Sequence, residues 1–205
     1  MNRSWRRDSL RLLTLIPIVW WIGCTGAKQA RQTNDIAAGR PPVTLSSDQI
    51  HSPSGDMSAR VPQDWVMVDA EKLEAPQVFS MACNPDYTLS LIFTEVTMDN
   101  ATRGLFSRDG LKGLAEASFQ RRIKRSNARA VMTGDVEEFA IGKRRFGAYT
   151  YTTDTMKTLT RVAIFNTGAH IYECAITHLD FNDRALPPQE TLRNVHQIIL
   201  GSIEW

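Results

Sequence analysis

The residues of this chain best equipped for chemistry are three cysteines and four histidines. Their spacing argues against most of what they could do. His51, His170, His178 and His196 show no H-x-x-x-H spacing, and no C-x-x-C joins Cys24, Cys83 and Cys174, so no zinc-type ligand set is written in the chain. His170 and His178 share a strand face but lie about 26 Å apart at ~3.3 Å per residue, too far to hold one ion. Cys174 sits four residues from each, whereas proton transfer needs a heavy-atom separation of ~2.6–3.2 Å. There is no G-x-S-x-G nucleophile turn and no glycine-rich phosphate loop. Asp135, Glu137 and Glu138 form a small acidic group, but Glu137 and Glu138 point to opposite faces of a strand. Paired acid–base work needs both carboxylates in one cleft, so the group reads as a solvated edge. These residues predict no enzyme, no metal and no cofactor.

Cys83 and Cys174 lie in apolar strand patterns; the absence of a C-x-x-C argues against redox chemistry, the third reading, and two others stay open. They are buried small hydrophobes, or they form a disulfide across 90 intervening residues, worth ~4 kcal/mol in the chain-entropy model.

The third cysteine sits differently. A basic start, MNRSWRR, precedes an apolar run from Leu12 to Gly23 that is too short to span a bilayer comfortably. That is the pattern of a secretory signal peptide over residues 1–23. The residues Trp21-Ile22-Gly23-Cys24 resemble the lipobox of bacterial lipoproteins, although Trp21 stands where leucine is usual. The resemblance implies cleavage before Cys24, a diacylglycerol on its thiol, and membrane anchoring by acyl chains. Thr25 is not the aspartate that favours inner-membrane retention in such proteins, which points to the periplasmic side of the outer membrane in a Gram-negative cell. Ordinary secretion and an uncleaved anchor are the alternatives.

Residues 1–23 also hold four arginines and one aspartate, leaving twenty basic and twenty-one acidic residues in the mature chain. Bulk charge therefore gives no argument for nucleic-acid binding. Residues 24–54, polar with Pro41-Pro42 at the centre, read as a lipidated cysteine and a tether. Residues 55–205 read as one domain.

Within that domain the periodicity predicts a short strand from Asp56 to Val61 and a turn at Pro62–Trp65. A hairpin follows, Phe79 to Cys83 and Tyr87 to Val96, with Asn84-Pro85-Asp86 as its turn. Leu111, Leu114, Ala115, Ser118 and Phe119 predict a helix from Ser107 to Arg125, capped by Ser107 or Asp109. Four strands follow: Ala130 to Ile141, Arg145 to Thr153, Thr158 to Asn166 and His170 to Thr177. Their short connections favour an antiparallel meander. A last helix opens at Pro187-Pro188 and carries Leu192, Val195, Ile199 and Leu200. The class is α+β: a twisted antiparallel sheet with helices packed on it.

This pattern resembles the PsbP-like fold of photosystem lumenal subunits, a Ran-binding import factor and DcrB-like envelope lipoproteins. The resemblance rests on Val61-Pro62-x-Asp64-Trp65, the hairpin, the amphipathic helix, the meander and His170-Ile171-Tyr172-Glu173-Cys174. Asp64 stands where glycine is common before the tryptophan. The resemblance implies an α/β/α sandwich in a mostly non-catalytic group whose members bind different partners. Function is then expected to be that of a lipid-anchored, non-catalytic envelope module binding another envelope protein, with a small-molecule or lipid-binding envelope lipoprotein and an enzyme with an unrecognised site as the alternatives. The expected partner surface is Arg121, Arg122, Lys124 and Arg125 at the helix end, or the turn Lys143, Arg144 and Arg145.

Overall fold

Alternation of apolar and polar residues builds the sheet on which everything else packs. The computed structural model describes residues 43–69, 75–153, 157–181 and 184–205; the signal segment, the lipobox and Cys24 lie outside the described residues. In chain order the elements are β1 (Leu45–His51), β2 (Ser58–Pro62), β3 (Val66–Val68), β4 (Val78–Cys83), β5 (Leu89–Val96), α1 (Asn100–Arg125), β6 (Val131–Met132), β7 (Glu137–Ile141), β8 (Arg144–Thr152), β9 (Thr160–Asn166), β10 (Ile171–His178) and α2 (Gln189–Ser202). The main sheet runs β3-β4-β5-β10-β9-β8, with β6 and β7 both paired to the outer side of β8. Its strand pairs are antiparallel.

Period-two alternation gives this sheet two apolar faces. Phe93, Phe146, Phe165, Tyr172 and Cys174 lie under Leu192, Val195 and Ile199 of α2. Tyr149, Val162, Ile164 and Ile171 lie under Leu111, Leu114 and Phe119 of α1. The result is the three-layer α/β/α arrangement. Trp205 closes one end of the α2 layer, stacked on Phe165 with ring centroids 5.2 Å apart.

Several sequence expectations are corrected. The stretch read as tether ends earlier, because residues 45–51 form β1 and pair with β2. The strand expected over Ala130 to Ile141 is two strands, parted where Gly134 takes φ +85°. Helix α1 starts at Asn100, not near Ser107, with Asp99 accepting from Thr102 N at 2.7 Å as its cap. It breaks at Gly110 (φ 64°, ψ −150°), a backbone that only glycine adopts readily. Glu138 on β7 accepts from Lys112 N at 2.9 Å just past the break, replacing an acceptor the helix has lost. Asp64, in the glycine-favoured position, does take the left-handed φ, +68°, which aspartate tolerates better than most residues.

The disulfide alternative is excluded: Cys83 and Cys174 are both buried free thiols. Strand β5 lies between them, Cys83 opposite Ser90 and Cys174 opposite Phe93, and Ser90 and Phe93 face opposite sides of the sheet. Two strand spacings across and three residues along put the Cα atoms roughly 14 Å apart, beyond the ~7 Å that a bridge permits.

Helix α1 reaches the sheet through Gly147 on β8, where a Cβ would stand 2.5 Å from the Leu111 carbonyl oxygen. Gly147→Ala is therefore expected to lower unfolding free energy by about 1–3 kcal/mol, read as a lower urea midpoint. Gly104→Ala, in the same helix with nothing within 4 Å, should raise the midpoint slightly, by up to ~1 kcal/mol.

Candidate functional site

Ser118, Arg121, Arg122 and Arg125 stand at i, i+3, i+4 and i+7, so one stripe of α1 carries all four. That stripe faces a groove of about 510 Å³ over the sheet, floored by Ile92, Thr94, Ala175 and Thr177. Asp99 and Thr102, from before the Gly110 break, line the same groove. The two pieces of α1 thus share one wall.

Glu173 is the buried carboxylate of the groove, its side chain 7 % exposed. Its Oε1 accepts from Ser118 Oγ at 2.6 Å and its Oε2 from Arg122 Nη2 at 2.7 Å. Ser118 Oγ also lies 2.8 Å from the Tyr149 hydroxyl. Burial alone would pull the Arg122 guanidinium down, but the Glu173 carboxylate and Tyr149 and Tyr151 together hold it above its ordinary value. Burial, then Glu173, pushes the Tyr149 phenol up to about 12.

The structure divides the basic residues singled out in the sequence. Arg122 is committed to Glu173. Arg121 reaches the same carboxylate only at 3.5 Å with a side chain 42 % exposed. Lys124 and Arg125 are exposed, but Arg125 alone of the two lines the groove. The second group is broken up further. Arg144 donates to the Gly201 carbonyl at 2.8 Å and lies over the Trp205 ring. Arg145 pairs with Glu138 at 2.8 Å, leaving Lys143 exposed at the turn tip. This turn sits at the opposite end of β8 from the carboxyl end of α1, so the two basic groups form no common surface. Glu137 and Glu138 are not a bare solvated edge either: Glu137 pairs with the buried guanidinium of Arg161.

His196 and His178 do structural work. His196 is fully buried; burial, then the nearby Arg161 charge, lowers it to about 3, and its Nε2–H donates to the Cys174 carbonyl at 3.1 Å. His178 accepts from Leu159 N through Nδ1 at 3.2 Å, and burial lowers its pKa. Burial pushes the Cys174 thiol up, away from nucleophilic character.

Sequence reading missed one cluster. The turn from Ser52 to Asp56 meets the β9–β10 turn, and the Asp56 carboxylate collects five donors. Ser52 donates at 2.9 Å, Ser54 at 2.6 Å and His170 Nδ1 at 3.0 Å, with Tyr172 and Thr167 completing the set. Serine, histidine and aspartate are all present, yet the hydroxyls converge on the carboxylate rather than on His170 Nε2. A nucleophile–base pair requires the latter, so this is a clamp between two turns. Burial alone would raise the Asp56 carboxyl, but the bonds from Ser54, Thr167, Tyr172 and His170 outweigh it and hold it well below the usual carboxylate range.

Two outcomes follow from these geometries. Glu173→Gln should destabilise the fold by about 1.5–3 kcal/mol, the range for a hydrogen bond to a charged group. It should also lower the Tyr149 ionisation from about 12, with burial still keeping it above an exposed phenol, read by ultraviolet titration. Because the folded phenol titrates above the unfolded one, its contribution is complete below pH ~10 and lost as pH rises toward 12. Asp56 has the opposite sign: its folded pKa is depressed, so its contribution holds above the unfolded value near pH ~4 and falls as acid is added. Asp56→Asn should flatten the stability–pH curve below pH ~4 in denaturation series.

No protein-family model and no curated protein matches the sequence. Solved structures do. The cyanobacterial PsbP (CyanoP) of Synechocystis sp. PCC 6803 is 12 % identical, with a TM-score of 0.53 over 81 % of this chain and 95 % of that one. The Ran-binding protein Mog1p of Saccharomyces cerevisiae is 11 % identical, with a TM-score of 0.47 over 78 % and 96 %. LpqN of Mycobacterium tuberculosis, described as involved in cell envelope biogenesis, is 12 % identical, with a TM-score of 0.43 over 78 % and 90 %. The CyanoP likeness, with the antiparallel sheet between two helical layers, gives the fold: the domain is α+β and PsbP-like.

Proposed function

We propose that the chain is a lipid-anchored cell-envelope protein, held by Cys24 on the periplasmic face of an outer membrane, whose domain binds another envelope protein without catalysis. The observation that carries the binding reading is the groove under α1. Two of its carboxylates are committed, Glu173 to Arg122 and Ser118, and Asp99 to the helix cap. Glu95 also lines the groove, so three arginines meet three carboxylates there; the positive charge is local to the α1 wall, where Arg121 and Arg125 stand over an apolar and threonine floor. The partner segment that fits is acidic at one side and small or apolar where it meets Ile92 and Ala175.

In-cell crosslinking and recovery from membranes tests this. Arg121→Glu with Arg125→Glu should cut partner recovery by about tenfold, as reversal of interface charges weakens association, while Lys143→Glu leaves recovery unchanged. Because Arg121 also lies 3.5 Å from Glu173, the double variant should melt somewhat lower, and recovery is compared at a temperature where melting curves show both proteins folded. Equal recovery from the double variant and the natural protein would exclude the groove as the partner site.

A further inference from the structure

The described residues expose six large hydrophobic side chains, and four of them, Val66, Met67, Tyr87 and Phe181, gather at one end of the sheet. The pairings place them there. Val66 is opposite Cys83, beside the β4–β5 turn that carries Tyr87. The chain beyond β10 crosses that turn, bound by Leu179 N to the Thr88 carbonyl at 2.9 Å and by Arg184 to the Asp86 carbonyl at 2.7 Å. Phe181, 57 % exposed, lies between those two attachments. The start of the domain arrives at the same end: Gln63 N donates to the Thr44 carbonyl at 2.7 Å. Val43 shares the lining of an open cavity of about 670 Å³ with Trp65, Pro85, Asp86 and Arg184.

Tyr87 adds an independent observation. The Asn84 side chain accepts from Thr88 N and Leu89 N, each at 2.8 Å, and this tight turn holds Tyr87 at φ +55°. Glycine or asparagine takes that conformation readily, whereas a bulky aromatic is strained in it. The chain keeps an exposed ring at a position where the backbone disfavours one, and such outliers point to function rather than to folding.

We propose that this end of the domain rests on the lipid bilayer surface, with Tyr87, Phe181 and Met67 seated at the headgroup level. The proposal rests on the anchoring reading, because the occupant is argued from where the chain leaves the domain. Eighteen residues separate Cys24 from Val43, which limits the distance between them to about 65 Å at full extension. The end bearing Val43 is thus the part of the domain kept nearest an acylated Cys24. Amphipathic rings suit that interface. Among the described residues at this end Arg184 pairs with Asp86 and Lys157 with Asp180, and Asp64 is exposed; no basic patch faces the lipid, so the contact is carried by the apolar side chains.

The test uses the full chain in vesicles of phosphatidylethanolamine whose acyl chains carry bromine. An environment-sensitive fluorophore is placed by Tyr87→Cys, Phe181→Cys or, at the far end of the sheet, Lys143→Cys. Quenching by lipid bromines should be at least threefold greater at 87 and 181 than at 143, and unchanged by high salt. With the label at 181, Tyr87→Gly should raise the thermal midpoint by relieving the turn and yet reduce quenching. Equal quenching at all three positions, with the protein retained on the vesicles, would overturn the contact. Mass spectrometry of Cys24 reads the anchoring separately. If that thiol is unmodified, anchoring fails on its own, and the labels are read on Cys24→Ser chains mixed with the same vesicles. Quenching confined to 87 and 181 then still upholds the contact, and its absence overturns it.

Discussion

The pairing of β5 with β10 is the constraint on which the rest depends. Eight residue pairs, from Ile171 with Val96 to His178 with Leu89, run in unbroken antiparallel register. This joins the early hairpin to the late meander and puts both strands at the centre of the sheet. A central strand buries both faces, and the two faces differ. Toward α2 the pair presents Leu91, Phe93, Tyr172, Cys174 and Ile176, all under 2 % exposed, a volume that only a packed helix can cover. Toward α1 it presents Ile92, Thr94, Glu173, Ala175 and Thr177, smaller and more polar. Helix α1 lies instead over the larger apolar residues of β8 and β9, drawn in by the missing side chain at Gly147. The groove is what this asymmetry leaves over the polar half of the sheet.

How far the sequence discloses this arrangement follows from the range of each interaction. The meander, the β4–β5 hairpin and both helices are legible because alternation and three-to-four spacing are local. Strand β1 is not, because Leu45–His51 has little alternation to show; its burial is patchy and only its pairing with β2 makes it a strand. The break in α1 shows no local signal beyond a glycine pair, since Glu138, which supports it, comes from a strand 26 residues on. The thiols could be parted only once β5 was known to run between them. Arg122 looks like surface charge until Glu173, 51 residues away, is placed beneath it. The Asp56 clamp joins residues more than a hundred positions apart, in two turns that each read as ordinary polar loops.

The ends of the sheet are treated differently by the same chain. At the end with the β9–β10 turn, polar and aromatic groups find partners: Asp56 takes five donors, and Trp205 stacks on Phe165 with Arg144 above it. At the other end Tyr87 and Phe181 have no ring partner among the described residues. A domain folding only for its own stability gains nothing from that contrast, since each bare ring exposes apolar area that burial would stabilise.

The buried polar layer under α1 bears on specificity more than on strength. A helix held only by Leu111, Leu114, Ala115 and Phe119 could slide along the sheet by a turn with modest loss of contact. Glu173 removes that freedom, because its two oxygens are held by Ser118 and Arg122, one helical turn apart. A slipped helix would leave a buried carboxylate without donors, at several kcal/mol. The same hold fixes Arg121 and Arg125 on the groove wall, since they share the stripe. The ion pair that sets the register of α1 therefore also sets which of its charges remain for a partner.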